Sequence, residues 1–145
     1  MAIWFGAGFS LETANAHSKS TLVSQLGIEF VGAGDDYVSA RMPVDERTRQ
    51  PAGVLHGGAS VALAETLASW GATFVVDREK NHCVGLEINA NHVRAISAGW
   101  VTGTARPLHL GRSTQIWEVR IVDEQERLVC VSRVTMAVLA TPNRY

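Results

Sequence analysis

The second half of the chain alternates apolar runs with short polar breaks. Its clearest segment has Trp117, Val119 and Ile121 alternating with charged residues. A period of two is typical of a strand that buries one face. The pattern predicts four strands, over residues 82–96, 100–107, 113–122 and 128–140. The breaks between them are short enough for antiparallel meander connections.

The first fifty residues predict two short helices and two strands. Ser10 and Thr21 carry the polar side chains expected of helix N-caps, and Gly27 suits the end of the second helix. The first helix is expected over residues 11–18 and the strands over residues 28–31 and 37–44, with a glycine- and aspartate-rich turn between the strands.

Residues 57–76 form a long apolar run in which Glu65 is the one charged residue. Polar residues within it, such as Ser60 and Thr73, make it too polar for a membrane span, so we predict a buried helix. A helix that is apolar nearly all round needs cover on most sides, which a curved antiparallel sheet can provide. The predicted fold class is therefore α+β. The half-apolar outer face of such a sheet favours pairing with a second subunit.

Composition limits the classes of function. The 145 residues suffice for a single domain over 1–145 with its own core. The net charge of −1 gives no basic field for nucleic acid or an anionic membrane. Cys83 and Cys130 lie in apolar runs and are predicted to be reduced and buried. Because no basic residue precedes Lys19, no secretory signal is evident, and we expect a cytoplasmic protein.

Glu65 is the residue that points most directly to chemistry. A carboxylate in an apolar helix is paired, protonated or functional, because burial without a partner is costly. The structural alternative is that it reaches solvent or an arginine at a subunit contact. His56 and Gly57 begin the helix, where free N–H groups suit an oxygen that develops negative charge. Ser69 lies one turn after Glu65 and can orient the carboxylate or a water molecule, so the run predicts a hydrolytic site.

The run from Gln50 to Ser69 resembles the hotdog-fold acyl-CoA thioesterases. The similarity is greatest to the branch with the phenylacetic-acid-pathway and Glu-dependent 4-hydroxybenzoyl-CoA enzymes. Within it, the chain is most similar to small enzymes acting on 1,4-dihydroxy-2-naphthoyl-CoA or on mischarged aryl carrier proteins. The resemblance covers nearly the whole chain. It implies a long helix wrapped by five or six antiparallel strands, homodimers that pair into tetramers, and an active site at the dimer interface.

The resemblance also implies a role for each site residue. The Gly57 N–H polarises the thioester carbonyl, and Gln50 and His56 line the same site. Glu65 of the other subunit attacks the carbonyl or activates water, and Ser69 assists the water. Acyl-CoA is the substrate, and no metal or cofactor is implied. The residues expected to contact the substrate are Gly85, His92, Arg94, His109, Leu110, Gly111 and Arg112, with Trp70 at the acyl pocket.

The expected function is therefore a thioesterase for aryl or arylalkyl acyl-CoA, extending to medium-chain acyl groups. Three alternatives stay open. A hydratase or dehydratase of acyl thioesters would use His56 as its base. An acyl or aryl carrier protein could carry the thioester in place of CoA. A non-catalytic CoA-ester-binding oligomer would bind without releasing thiol, with Glu65 as a structural charge at the interface.

Overall fold

The computed structural model describes residues 1–142, which form three helices and one six-stranded antiparallel sheet. In chain order the elements are α1 (Leu11–His17), α2 (Leu22–Gln25), β1 (Glu29–Ala33), β2 (Val38–Pro43), α3 (Gly57–Val75), β3 (Asn81–His92), β4 (Trp100–Leu110), β5 (Thr114–Val122) and β6 (Leu128–Ala140). The strand order across the sheet is β1-β2-β4-β5-β6-β3. The predicted α+β class, with one long helix and an antiparallel sheet, is confirmed.

Both predicted helix caps are present. Ser10 Oγ accepts a hydrogen bond from the Thr13 N–H at 3.1 Å, and Thr21 Oγ1 accepts one from the Val23 N–H at 3.2 Å. Gly27 follows α2 with φ of +71°, the left-handed conformation that ends helices and favours glycine. The polar residues and the glycine in the sequence therefore predict the ends of α1 and α2 to within one or two residues.

Two bulges make strands longer than predicted. The register shifts between Phe30 and Gly32, and β1 continues two residues past its predicted end. A second shift, between Pro107 and His109, lets β4 continue although proline has no N–H to donate. His109 and Leu110, predicted in a turn, therefore lie on β4.

The predicted strand over residues 82–96 is too long, because β3 ends at His92. Past that point the Ile96 carbonyl accepts a hydrogen bond from the Leu55 N–H at 2.7 Å. This bond draws the segment away from β6 and toward the start of α3. Arg94, predicted on a strand, therefore lies in a loop beside the helix start.

The sheet packs against one side of α3. Leu63 and Leu67 on the helix are fully buried, as are Trp117 and Val119 on β5. The opposite helix face carries Ala62, Glu65, Thr66 and Ser69 and stays half-buried. No residue of α3 from Ala59 onward is exposed, so the expectation of cover on most sides is confirmed, and the face with Glu65 is its least covered side.

β3 is an edge strand, since it pairs with β6 on one side only. Val84 and Leu86 on it are 41% and 64% exposed. Unpaired backbone groups beside apolar side chains favour pairing with another strand. The surface suited to a second subunit therefore includes this edge as well as the outer face of the sheet.

Both cysteines are free thiols, as predicted. Cys130 is buried and Cys83 is half-buried, and burial raises the pKa of each thiol. Within residues 1–142, no helix is long and apolar enough to cross a membrane.

Candidate active site

The start of α3 leaves one N–H group without an acceptor. His56 is the N-cap, and its Nδ1 accepts from the Gly58 N–H at 2.8 Å. Its carbonyl accepts from the N–H groups of Ala59 and Ser60, at 3.0 and 3.3 Å. Among the described residues, nothing accepts from the Gly57 N–H. Gly57 is thus a free donor at the positive end of the helix dipole.

His92 lies directly over Gly57. A Cβ at position 57 would be 2.9 Å from His92 Nε2, so the imidazole can approach the backbone because the residue is glycine. A cavity of about 460 Å³ opens here, lined by Val54, Leu55, Gly57, Ser60, His92, Val93, Arg94, Ala95 and Val129. Gly57 at the helix start and the His92–Arg94 segment, which are distant in the sequence, therefore share one cavity.

Gln50 belongs to the loop that leads into the helix. Its Oε1 accepts from the Ala52 N–H at 2.6 Å, and its own N–H donates to the Val54 carbonyl at 2.9 Å. The His56 N–H donates to the Thr48 carbonyl at 2.8 Å, which ties the loop to the helix start. Gln50 thus stabilises the segment that presents the Gly57 N–H.

Glu65 lies two turns further along α3, with its carboxylate against Gly85 of β3. A Cβ at position 85 would overlap Glu65 Oε1, so glycine leaves the space that the carboxylate occupies. Within residues 1–142, Glu65 makes no ion pair, and no hydrogen bond reaches its side chain. One alternative for Glu65 was a structural charge paired with an arginine. Within residues 1–142 of one chain, no arginine pairs with it.

The Gly57 N–H and the Glu65 carboxylate lie apart in one chain. The two residues are eight positions apart, about 12 Å along the helix axis, so they cannot both contact one small functional group. Each half of the site has its own neighbour on β3, His92 at Gly57 and Gly85 at Glu65. We define the helix-start half-site as Gln50, His56, Gly57, His92 and Arg94, and the carboxylate half-site as Glu65, Ser69, Trp70 and Gly85.

Trp70 is both a wall of a cavity and part of an aromatic cluster. With Ser69 and Thr73 it lines a cavity of about 130 Å³. Its ring centroid lies 6.1 Å from that of Phe30 in an edge-on arrangement, and 5.9 Å from that of Phe74. These contacts hold the indole in place. A rigid apolar surface therefore adjoins Ser69.

The β4–β5 turn lies level with the carboxylate half-site but three strands away. The register row across the sheet runs Leu110, Gln115, Met136 and Gly85. With strands about 4.8 Å apart, the turn is about 14 Å from Gly85. His109, Leu110 and Arg112 are exposed, and the Gly111 N–H closes the turn on the Thr114 carbonyl at 2.9 Å. One chain therefore does not bring these residues into either half-site.

Arg94 and Arg112 are exposed, and neither has an ion-pair partner among the described residues. Arg106, by contrast, pairs with Asp36 and lies 4.7 Å over the ring of Tyr37. Arg94 and Arg112 are therefore available to bind an anion, and guanidinium groups suit phosphates. The part of the chain that the structure describes holds no group of three His, Cys, Asp or Glu arranged to bind a metal.

Comparison with known proteins identifies the family. The family described as the Thioesterase superfamily matches residues 52–130, which include Gly57, Glu65 and Gly85. The chain belongs to the thioesterase superfamily. Its fold is the hotdog fold, and its reaction is the hydrolysis of thioesters.

The thioesterase relatives match along nearly their whole length. The chain is 55% identical over 130 residues to proofreading thioesterase EntH of Cronobacter turicensis, covering 90% of this chain and 94% of that one. A crystal structure of a variant of thioesterase PA1618 from Pseudomonas aeruginosa is similar with a TM-score of 0.94 and 44% identity, over 97% of this chain and 100% of that chain. For thioesterase HI1161 from Haemophilus influenzae the TM-score is 0.93 and the identity 45%, over 99% of each chain.

The helix-start cavity of this thioesterase also contains a residue that the sequence analysis did not single out as a site residue. Ser60 is 1% exposed and lines the cavity beside Gly57. The signal for it was present, because residues three apart on a helix share a face.

Proposed function

We propose that this thioesterase hydrolyses aryl or arylalkyl acyl-CoA, and also medium-chain acyl-CoA, to the free acid and CoA. The main observation that supports the proposal is that the site is divided into two half-sites on one chain. The Gly57 N–H lacks an acceptor and the Glu65 carboxylate lacks a donor among the described residues, and about 12 Å separates them along one helix. Each half-site lacks the group that the other provides, so the complete site forms between two copies of the chain.

A two-fold axis beside β3 would join the half-sites. Gly57 lies at the His92 level of β3, and Glu65 lies at the Gly85 level. The point halfway between Gly57 and Glu65 on α3 therefore lies beside the point halfway between His92 and Gly85 on β3. An axis there, with β3 antiparallel to its counterpart, brings Glu65 of one protomer to Gly57 of the other, twice per dimer.

The same dimer would cover the exposed side chains of β3 and the half-buried face of α3. That burial supports a homodimer as the working unit. The further pairing of two dimers into a tetramer rests on the family resemblance. A cytoplasmic location is in keeping with the two free thiols, because reducing compartments maintain thiols.

The chemistry needs one donor and one carboxylate. The Gly57 N–H donates to the thioester carbonyl oxygen and stabilises the negative charge that develops on it. Glu65 either attacks the carbonyl carbon, forming an anhydride that water then hydrolyses, or takes a proton from the water that attacks. In both routes the C–S bond breaks and CoA leaves as a thiolate. Thiolate is a good leaving group, so no step requires a metal or cofactor.

The remaining site residues position these two groups. His56 caps the helix through Nδ1 and so sets the direction of the first free N–H. Gln50 stabilises the loop before it. Ser69 follows Glu65 by one turn and would hold the attacking water. The indole of Trp70 offers an apolar surface for an aryl ring, which is the reason for proposing aryl substrates.

Arg94 and Arg112 would bind the phosphates of CoA. Because both are exposed, an acyl or aryl carrier protein with an acidic surface is the second candidate for the thioester carrier. His109, Leu110 and Gly111 would contact the same carrier from the β4–β5 turn, as the resemblance implies.

Free-thiol release from a panel of thioesters tests the proposal. The panel contains benzoyl, phenylacetyl, hydroxynaphthoyl, short-chain and long-chain CoA esters, and a benzoyl carrier protein. We expect faster release from aryl esters, and loss of most turnover in Glu65→Ala with an unchanged melting temperature. Thr66→Ala on the same helix is the matched control. An unchanged kcat in Glu65→Ala would contradict the role of the carboxylate, and equal rates on all acyl groups would contradict the aryl preference.

A further inference from the structure

Ser60 presents a hydroxyl group that the protein itself leaves unused. The residue is 1% exposed, yet it lines the cavity of about 460 Å³ that begins at Gly57. Within residues 1–142 its hydroxyl makes no hydrogen bond. The fully enclosed side-chain oxygen without a partner in these residues is that of Ser132, so the Ser60 oxygen is open to the cavity. Polar groups inside proteins nearly always have a partner, since leaving one unpaired costs free energy. The partner of the Ser60 hydroxyl must therefore come from the contents of the cavity.

Other hydroxyl groups on α3 behave differently. Thr66 Oγ1 donates to the Ala62 carbonyl at 2.7 Å, and Thr73 Oγ1 donates to the Ser69 carbonyl at 2.8 Å. This bond to the carbonyl four residues earlier is the usual way for a helix to satisfy a hydroxyl. Ser60 does not make it, and the corresponding carbonyl of His56 already accepts two N–H groups. The hydroxyl is thus free to donate into the cavity.

Ser60 and Gly57 are close enough to act on one atom. They are three residues apart on a helix, a spacing that places neighbouring side chains about 5–6 Å apart on one face. Helical side chains also point back toward the N-terminus, which directs Ser60 toward the first turn. An oxygen at hydrogen-bond distance from two donors can link donors up to about 6 Å apart.

We propose that the Ser60 hydroxyl is a second donor to the thioester carbonyl oxygen, beside the Gly57 N–H, and so completes the oxyanion hole. The inference rests on the proposed function and adds a catalytic residue to it. The hydroxyl hydrogen stays on Ser60 throughout, and the hydrogen bond strengthens as charge develops on the carbonyl oxygen. Such a donor lowers the barrier to the reaction more than it aids binding of the ground state.

Kinetics of Ser60→Ala provide the first test, with Thr66→Ala as the matched control. Loss of one oxyanion donor reduces kcat by about 10²- to 10³-fold, and KM changes little. The melting temperature should stay close to that of the parent, because the substitution removes a hydroxyl that has no partner among the described residues. Thr66→Ala should keep the parental kcat, since that hydroxyl is satisfied within the helix.

Binding of two unreactive CoA analogues provides the second test. One is a ketone in which a methylene replaces the sulfur, and the other is a thioether that has no carbonyl group. Ser60→Ala should bind the ketone about 2- to 10-fold more weakly than the parent, the effect of one hydrogen bond, and bind the thioether equally well.

The outcomes separate this inference from the proposed function. An unchanged kcat in Ser60→Ala, or equal loss of affinity for both analogues, would overturn the role of Ser60 and leave Glu65 untouched. Full activity in Glu65→Ala with a large loss in Ser60→Ala would overturn the proposed carboxylate alone. A parent protein that releases thiol from neither CoA esters nor carrier-protein esters would overturn both.

Discussion

Gly85 is the residue whose substitution should most selectively disturb catalysis. In Gly85→Ala the new methyl group would overlap Glu65 Oε1. That oxygen is at the far end of a flexible side chain, so a rotation of Glu65 relieves the overlap at little cost in stability. The φ of Gly85 is not in the left-handed region, and alanine at a compatible glycine position stabilises by about 0.4–1 kcal/mol through the unfolded state. The folded protein should therefore persist with a displaced carboxylate.

The expected magnitude follows from the distance by which the carboxylate moves. Displacement of a reacting group by about 1 Å can cost about 10²-fold in rate. A rate loss of about 10²-fold corresponds to about 2.7 kcal/mol in the activation barrier. We therefore expect kcat/KM of Gly85→Ala to fall by about 10²-fold while its melting temperature stays within a few degrees of the parent.

The assay is a double-mutant cycle of thiol release with Gly85→Ala and Glu65→Ala. If the methyl group acts through the carboxylate, Gly85→Ala has no further effect once Glu65 is alanine. Gly32→Ala is the control, because a Cβ there meets only an ordinary contact of 3.8 Å with Ser39. Full activity in Gly85→Ala would refute the reasoning, and so would an equal loss in both backgrounds.

Three further predictions concern the surroundings of the site. His56→Ala should lower the free energy of unfolding by about 1 kcal/mol in urea titrations, and His56→Asn should restore most of it, because asparagine can cap the helix as His56 Nδ1 does; equal losses would contradict the cap. The hydrogen bond from Arg47 lowers the pKa of Asp45 to about 2, so this pair stabilises the fold above about pH 4 and loses that effect as the pH falls toward 2. Arg47→Met should thus lower the melting temperature more at pH 6 than at pH 2, and a pH-independent difference would refute this. Arg94→Ala and Arg112→Ala should each raise KM for acyl-CoA by about 2- to 5-fold. Both should leave KM for acyl-pantetheine unchanged, because the two arginines are proposed to bind the phosphates of CoA. Equal effects on both substrates would contradict this role.

Local signals in the sequence account for most of the fold. The start of α3 at Gly57 and the bounds of β6 agree with the prediction, because each is marked by an abrupt change between apolar and polar or glycine residues. The ends of β3 and β4 were mispredicted for a non-local reason. The hydrogen bond from Leu55 to Ile96 and the bulge at Pro107 depend on partners that are distant in the sequence.

The candidate site was predictable in its residues but not in its arrangement. The spacing from Gly57 to Glu65 is visible in the sequence, and the helical rise converts it into a separation too long for one active site. The contact of Gly85 with Glu65 comes from the packing of β3 on α3, which no local pattern encodes. Ser60 was passed over as a site residue because a serine in an apolar helix usually bonds to its own backbone.

An active site shared between two protomers can be tested by combining two different inactive variants in one dimer. Gly57→Pro removes the donor N–H at a position whose backbone suits proline, since it is the first residue of α3 and His56 has φ of −68° and ψ of 130°. The proline Cβ would displace the imidazole of His92, which is exposed and can rotate away. Glu65→Ala removes the carboxylate. Each variant alone should be inactive, and each should keep the parental melting temperature to within a few degrees.

Activity of the mixed dimer is the measurement that tests the shared active site most directly. The two variants are co-expressed with different tags, and dimers that carry both tags are isolated. If Glu65 of one protomer acts with Gly57 of the other, one of the two sites in each mixed dimer has both groups intact, and about half of the parental activity per dimer returns. If each site lies within one protomer, both sites carry a defect. A mixed dimer as inactive as the two variants alone would contradict the account.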